Sequence, residues 1–462
     1  MSNTIAPLDL SWLLMESPAG TTHVGAMLLF KKPPGRRALV REIVDAYRAQ
    51  KPLPPFNFVP ELMGVGAPHF REVEEWDPHY HVQHLALPAG SSYEELLGLV
   101  SDLHEPMLDR DRPLFRCWVI DGVPGGRFAI YTKTHHSIID GVSGLKKLYD
   151  GLSRNEDPII LPPAFAQPPK LSEPRKPAPA LRRLTDTVRS AITQVGAINQ
   201  ISLVALRKGI SAVMGSHLEG SLPFVAKPAP TNLPLKQARS FATLSLPLEE
   251  MHQIGHRFGA TLNDVAAAVI DHGLHAYLRE RGHGNEGYAH EFIAMVPVSL
   301  RGEHDSAIGT KVSAMFVRLG SPEADIGERL RQIVHSVATA KKELSGMSPD
   351  AAMTYAVAII ALAGAGASTH LDRVVPACNL VISNVPGATE DRYLNGAPLV
   401  GIFPISALAA SIGLNVTLSS YRDHMDFGFV ANKAALEDIH ALAEHTRQGY
   451  AELKTAARKY ST

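Results

Sequence analysis

Phe128-Ala129-Ile130-Tyr131-Thr132-Lys133-Thr134-His135-His136-Ser137-Ile138-Ile139-Asp140-Gly141 is a β-patterned run that delivers two adjacent histidines and then turns into a helix. Its first seven residues are rich in β-branched and aromatic side chains and have the length of a strand. After Gly141, Val142, Leu145 and Leu148 recur at helical spacing. Successive side chains on a strand point to opposite faces, so His135 and His136 cannot both address one substrate. One is expected to be the working base and the other to pack or orient. An unperturbed imidazole titrates near a pKa of about 6.5 and can take and return a proton near neutral pH. Asp-Gly is turn chemistry, because Gly tolerates a positive φ and Asp hydrogen-bonds nearby backbone. Asp140 is therefore expected to fix the corner rather than touch substrate.

A His-His pair at a strand end can also be two satisfied structural histidines. The whole pattern His135-His136-x-x-x-Asp140-Gly141 is more specific, and it resembles the signature of the CoA-dependent acyltransferase superfamily. That superfamily includes chloramphenicol acetyltransferases, plant acyltransferases and the condensation domains of peptide synthetases. The resemblance makes this stretch the reaction centre.

At 462 residues the chain exceeds what one hydrophobic core usually supports, so two domains are expected. Apolar residues make up 45% and charged residues 20% of it, ordinary for a globular protein. A formal net charge of -1 gives no global electrostatic case for nucleic acid. Two cysteines, Cys117 and Cys378, do not suggest a disulfide framework. The opening Met1-Ser-Asn-Thr-Ile-Ala-Pro lacks a basic region followed by an apolar core, so no secretory signal is expected. Both features point to a cytoplasmic protein. The stretch from Ala351 to Leu371 carries no acidic, Lys or Arg residue before its end, but Ala and Gly dominate it. A buried helix is expected there rather than a membrane span.

Pro7 to Ser17 reads as a short apolar-faced helix with Asp9 or Ser11 near its start, and His23 to Phe30 as a buried strand. The combination Leu8-Asp9-x-Ser11-Trp12-Leu13, Glu16-Ser17 and His23-Val24-Gly25 resembles the opening of the bacterial wax ester synthase/diacylglycerol acyltransferase family. Residues 36 to 50 form a helical pattern with Leu39, Ile43, Val44 and Tyr47 on one face. His79, His81 and His84 cluster in sequence, yet no carboxylate or thiol set with ligand spacing accompanies them, and no metal is expected. Residues 92 to 108 read as a helix. Pro113-Leu114-Phe115 stands where the resembled family usually has Pro-Leu-Trp, and it leads into a strand expected to pair with the histidine strand through the turn at Pro124-Gly125-Gly126.

Dense prolines from Glu156 to Pro179 mark a linker. The chain is thus divided into an N-terminal domain over 1–155, a connecting segment over 156–238 and a C-terminal domain over 239–462. Lys170, Arg175, Lys176, Arg182, Arg183 and Arg189 precede an apolar stretch from Ile192 to Met214, a pattern that suits either an anionic lipid surface or a solvated linker and inter-domain helix. Further on, Ser240 to Leu246 reads as a strand and Leu248 to Phe258 as a helix. Thr261 or Asn263 can cap the helix after it. The Asn263-Asp264 pair, Met295 to Arg301 and Asn379 to Gly387 each resemble segments of the same family, so the likeness spans both halves. The final strands, Gly413 to Ser420 and Met425 to Val430, frame a hairpin before an amphipathic helix that follows Leu436.

The resemblance implies an α/β (α+β) fold of two chloramphenicol-acetyltransferase-like domains with mixed sheets flanked by helices, and a tunnel between them. It implies transfer of an acyl group from acyl-CoA to a long-chain alcohol or diacylglycerol, with His136 as base and no cofactor. Asn263, Asp264 and Gly141 become candidates for the substrate or oxyanion site, and the membrane face or a lipid body becomes the expected location. A condensation enzyme using an amine, an acyltransferase for small polar alcohols, and a catalytically silent lipid-body protein remain as alternatives. Other enzyme classes lack their traces: there is no Gly-x-Ser-x-Gly elbow, no Walker-type phosphate loop and no His-Glu-x-x-His helix. His252 and His256 share a helical face but have no further ligand nearby, and read as surface residues.

Overall fold

The computed structural model describes residues 4–63, 67–168, 223–282, 290–299, 312–346, 371–408 and 411–459, with the single positions 352, 355, 359, 363 and 366. The first half runs α1 (Pro7–Met15), β1 (His23–Lys31), α2 (Leu39–Arg48), β2 (Phe58–Glu61), β3 (His69–Glu72), α3 (Pro78–His81), β4 (Val82–Ala86), α4 (Tyr93–His104), β5 (Phe115–Val123), β6 (Arg127–His135) and α5 (Gly141–Asp150). The second half runs β7 (Arg239–Pro247), α6 (Leu248–Phe258), α7 (Leu262–Glu280), β8 (Ile293–Ser299), β9 (Val312–Arg318), α8 (Ile326–Ser345), β10 (Leu380–Val385), β11 (Tyr393–Leu394), β12 (Ala397–Ile405), β13 (Leu414–Tyr421), β14 (His424–Asn432) and α9 (Ile439–Lys459).

Two six-stranded sheets form the frame, in the orders β11-β12-β1-β6-β5-β4 and β7-β14-β13-β10-β8-β9. Both are mixed: β4 runs parallel to β5 and β10 runs parallel to β8 and β13, while the other pairs are antiparallel. The fold is the α/β class expected, with helices flanking mixed sheets. Sheet membership does not follow chain order, however. β11 and β12, from the second half, extend the first sheet by pairing β12 with β1. Composition carries no trace of this crossover, because a buried strand reads the same whichever sheet receives it.

The first sheet is covered on both faces. Leu28, Phe30, Phe128 and Ile130 share a core with Leu39, Ile43 and Val44 of α2, while Met27, Leu29, Trp118 and Tyr131 pack with Leu96, Leu97 and Val100 of α4. All four residues expected on the inner face of α2 are buried, although the helix starts at Leu39 rather than 36. α4 opens on a capping box in which Ser92 and Glu95 each satisfy the other's backbone amide. In the second sheet Leu244, Leu246, Phe427 and Phe429 pack against Ile270 of α7, Leu330 of α8 and Leu453 of α9.

Ala352, Tyr355 and Ile359 are helical and buried; Tyr355 and Ile359 pack against Ile293, Phe316, Cys378 and Val381, and the Ala352 carbonyl accepts from the Ser313 hydroxyl. The rest of the Ala/Gly-rich stretch, the connecting segment from Lys170 to Met214, and Leu300 with Arg301 lie outside the described residues. Among the described residues no helix is long and apolar enough to cross a membrane.

Candidate active site

The site is built where β1 begins and β6 ends. The two strands are paired so that His23 faces His135 and Gly25 faces Lys133. A Cβ at Gly25 would lie 2.2 Å from the Thr132 carbonyl oxygen, so only glycine admits this approach. Beyond the last paired residue, the His136 amide donates to the Thr22 carbonyl at 3.0 Å. β6 therefore stops at His135, and His136 stands in the turn that follows.

His135 is fully buried and both its ring nitrogens are occupied. Nδ1 accepts the Ser137 amide at 3.1 Å and lies 2.7 Å from the Ser137 hydroxyl. Since Nδ1 accepts an amide proton, the ring proton sits on Nε2, which donates to Thr22 Oγ1 at 3.0 Å and lies 3.4 Å from Glu16. The Thr22 hydroxyl in turn donates to the Trp12 carbonyl at 3.1 Å. Glu16 is a hub: it accepts from the Thr22 amide at 3.2 Å and from Arg110 at 3.1 Å. Burial pushes its carboxyl pKa up, but His135, the Thr22 amide and Arg110 outweigh this and hold it below the usual carboxylate range. Arg110 also donates to the Leu13 carbonyl at 2.6 Å, so α1 is pinned to the strand end.

His136 is arranged differently. Its ring is only partly covered, and its Nδ1 is buried without a hydrogen-bond partner among the described residues. Nε2 has no hydrogen-bond partner among the described residues either. Desolvation pulls the pKa below the ordinary histidine value; Asp140 opposes the shift and His135 adds to it. The indole of Trp12 stacks on the ring with centroids 4.5 Å apart and planes at 24°. The arrangement suits a proton acceptor for an incoming hydroxyl.

Asp140 is the N-cap of α5. Its carboxylate accepts the Ser143 amide at 2.8 Å and the Ser143 hydroxyl at 3.2 Å. Gly141 departs from expectation. It is the first residue of α5, has no positive φ, and a Cβ there would meet only a Val385 methyl at 3.8 Å. The corner is turned by the Asp140 cap, with no left-handed residue required.

That Val385 contact brings the end of β10 against the corner. Next to Val385, Asn384 donates to the Asn263 side-chain oxygen at 2.6 Å, joining two segments that are distant in sequence. The Asn263 amide nitrogen has no acceptor among the described residues, and the side chain is exposed. Neither asparagine hydrogen-bonds His136. Thr261, rather than Asn263, caps α7. Asp264 completes the capping box, accepting the Thr261 amide at 2.8 Å and hydroxyl at 2.7 Å, which makes it a helix-start residue.

The other histidines do not converge. His81 is buried, donates to the Phe115 carbonyl at 2.7 Å and stacks on the Phe115 ring, and burial lowers its pKa to about 4. His79 and His84 are exposed, as are His252 and His256. Among the described residues no group of three or more His, Cys, Asp or Glu side chains could hold a metal ion.

Two family models match the chain: the wax ester synthase/diacylglycerol acyltransferase catalytic domain over residues 5–266, and the C-terminal domain of the same family over residues 308–454. The chain belongs to the wax ester synthase/diacylglycerol acyltransferase family. Like other members it is an acyltransferase. It is 33% identical to a protein of Mycobacterium tuberculosis named as a probable diacylglycerol O-acyltransferase, Tgs4, over 98% of this chain and 97% of that one. It is 31% identical to the O-acyltransferase WSD of Acinetobacter baylyi, over 96% and 95%. Among solved structures, the wax ester synthase/diacylglycerol acyltransferase of Marinobacter aquaeolei superposes with a TM-score of 0.76 at 28% identity, covering 99% of this chain and all of that one. The first condensation domain of the CDA synthetase shares the fold, with a TM-score of 0.55 at 17% identity over 99% and 97%.

Four residues of this acyltransferase site were not singled out from sequence: Thr22, Ser137, Lys133 and Asn384 as a partner of Asn263. Trp12 and Glu16 stood only as tokens of the family's opening. An acid at the end of an apolar helix, seven residues before a buried strand, is the one signal that marks Glu16 as a buried partner.

Proposed function

We propose that this enzyme moves a long-chain acyl group from acyl-CoA to a fatty alcohol or diacylglycerol, forming wax esters or triacylglycerol, with His136 as general base. The observation that carries the assignment is the contrast within the pair. His135 has both nitrogens engaged inside the protein, whereas His136 keeps Nε2 free on a partly open ring. The acceptor hydroxyl attacks the thioester carbonyl directly while Nε2 takes its proton, and the imidazolium returns that proton to the leaving CoA thiolate. No covalent enzyme intermediate and no cofactor enter this sequence. The free amide of Asn263 is the candidate donor to the tetrahedral oxyanion, oriented through its carbonyl by Asn384. The lipid nature of both products favours a peripheral position at the cytoplasmic membrane face or a lipid body.

Thiol release from palmitoyl-CoA, with hexadecanol, diacylglycerol or no acceptor and with separation of the lipid products, tests the reading. Acceptor-dependent release with ester formed is expected. His136→Ala should lower turnover by about 10²- to 10⁴-fold with the fold intact, and His135→Ala should lose activity together with thermal stability. Equal, modest losses at both positions, or release with an amine acceptor alone, would overturn it.

A further inference from the structure

When His136 takes the acceptor's proton it becomes a cation in a partly buried setting, and no other described residue hydrogen-bonds its ring to share the charge. The titratable and charged groups around the ring are Asp140 on α5, whose field favours the cation, and His135 on β6, which opposes it. Glu16, just after α1, contacts His135 and not His136. At the end of β10 the neighbouring side chains are Val385 and the uncharged Asn384. What covers the ring face is the Trp12 indole, 4.5 Å away and nearly parallel.

We propose that Trp12 stabilises the imidazolium of His136 through its π face and thereby sets the basicity of the catalytic histidine. An indole offers the strongest face of the aromatic side chains to a cation, and the centroid separation lies well inside the range of about 6 Å over which the attraction acts. The choice of residue supports a role for the face. The Trp12 Nε1 is buried without a partner among the described residues, a destabilising feature that phenylalanine in the same place would avoid. The indole is also held firmly. The Trp12 carbonyl accepts from the Thr22 hydroxyl, and the next residue's carbonyl accepts from Arg110. The Glu16 hub thus serves both histidines, engaging His135 directly and fixing the helix that carries the lid of His136. Trp12 acts through His136 and is a positioning residue, so the inference rests on His136 being the base.

The experiment is the pH dependence of acyl transfer from palmitoyl-CoA to hexadecanol in the wild type, Trp12→Phe, Trp12→Leu and His136→Ala. Removing the face makes the imidazolium less favourable, so the pKa of the base falls. The acid limb of kcat/KM should move to lower pH by about half to one and a half units in Trp12→Leu, and kcat on the plateau should fall about 3- to 30-fold. The KM for palmitoyl-CoA should change less than about twofold, and Trp12→Phe should restore part of both effects. A fall in kcat with the acid limb unmoved, or an unchanged enzyme, overturns the inference. If Trp12→Leu does not fold, Trp12→Phe alone decides, by whether its acid limb moves. An active His136→Ala enzyme would instead overturn the assignment of the base, and the two failures are therefore told apart.

Discussion

Lys133 lies two residues before His135 on β6 and is 2% exposed. Its ammonium donates to the Leu103 carbonyl at 3.0 Å and to the Pro106 carbonyl, closing the C-terminal end of α4, where a cation is favoured by the helix dipole. Burial nevertheless dominates. With Arg116 adding to the shift and Glu16 and Glu105 opposing it, the pKa drops from 10.5 to about 7. A lysine depressed in this way binds fewer protons folded than unfolded, so its penalty on stability is largest at low pH and is relieved as pH rises from about 7 to 10.5. With those two values, proton linkage disfavours the fold by about 4 kcal/mol at pH 7 and by about 2 kcal/mol at pH 9. Lys133→Met keeps the stem and removes the proton site. Relative to that variant, the wild type should therefore gain about 2 kcal/mol between pH 7 and pH 9. At about 2.1 cal/mol/K of unfolding entropy per residue, the gain corresponds to about 2 °C in Tm for this chain. Thermal melts of both proteins at the two pH values read the difference directly. If the Tm gap between wild type and Lys133→Met is the same at pH 7 and pH 9, Lys133 titrates alike folded and unfolded, and the reasoning from burial fails.

Asparagine caps a helix about as well as aspartate, so Asp140→Asn should leave Tm within about 1 °C while removing the carboxylate field on His136. Its acid limb in kcat/KM should move to lower pH, and a lost Tm with an unmoved limb would make Asp140 purely structural. Gly387 follows the strand that reaches the site, and a Cβ there would lie 1.6 Å from the Ser420 carbonyl oxygen and 2.9 Å from the Tyr149 hydroxyl. Gly387→Ala should cost about 3 kcal/mol or more, seen as a lower Tm or insolubility, and an unchanged melt would show that the turn can open. Asn263→Ala should lower kcat by about 10²- to 10³-fold, with palmitoyl-CoA affinity little changed, if its amide meets the oxyanion. Asn384→Ala, which frees Asn263 to turn, should cost less than Asn263→Ala, and the reverse order would move the donor role to Asn384.

The local structure was largely legible because each element carries its own periodic signal. The apolar face of α2, the hairpin of β5 and β6, and the strand-to-helix corner at Asp140 all follow from spacing and turn chemistry, and the structure shows each of them. What stayed hidden is set by contacts between distant segments. The insertion of β12 beside β1 depends on which buried edge is free. The pairing of Asn263 with Asn384 depends on where β10 ends. Gly141 was misread for a different reason: Asp-Gly is compatible both with a left-handed turn and with an N-cap followed by a helix, and only the Ser143 contacts decide for the cap.

The division of labour between the two histidines follows from register rather than from their chemistry, which is identical. Pairing with β1 runs to His23 opposite His135, so His135 is the last residue whose ring points into the covered face, among Glu16, Thr22 and Ser137. The next residue is the first to leave the sheet, and its amide alone is tied, to the Thr22 carbonyl. A one-residue slip in the register of β6 against β1 would exchange the two faces. The free nitrogen would then pass to His135, and His136 would enter the polar network. The close approach at Gly25, where a side chain would meet the Thr132 carbonyl at 2.2 Å, locks that register two residues before the histidines. The glycine of the opening His-Val-Gly segment thus helps decide, from the neighbouring strand, which histidine of the pair stays outside the polar network.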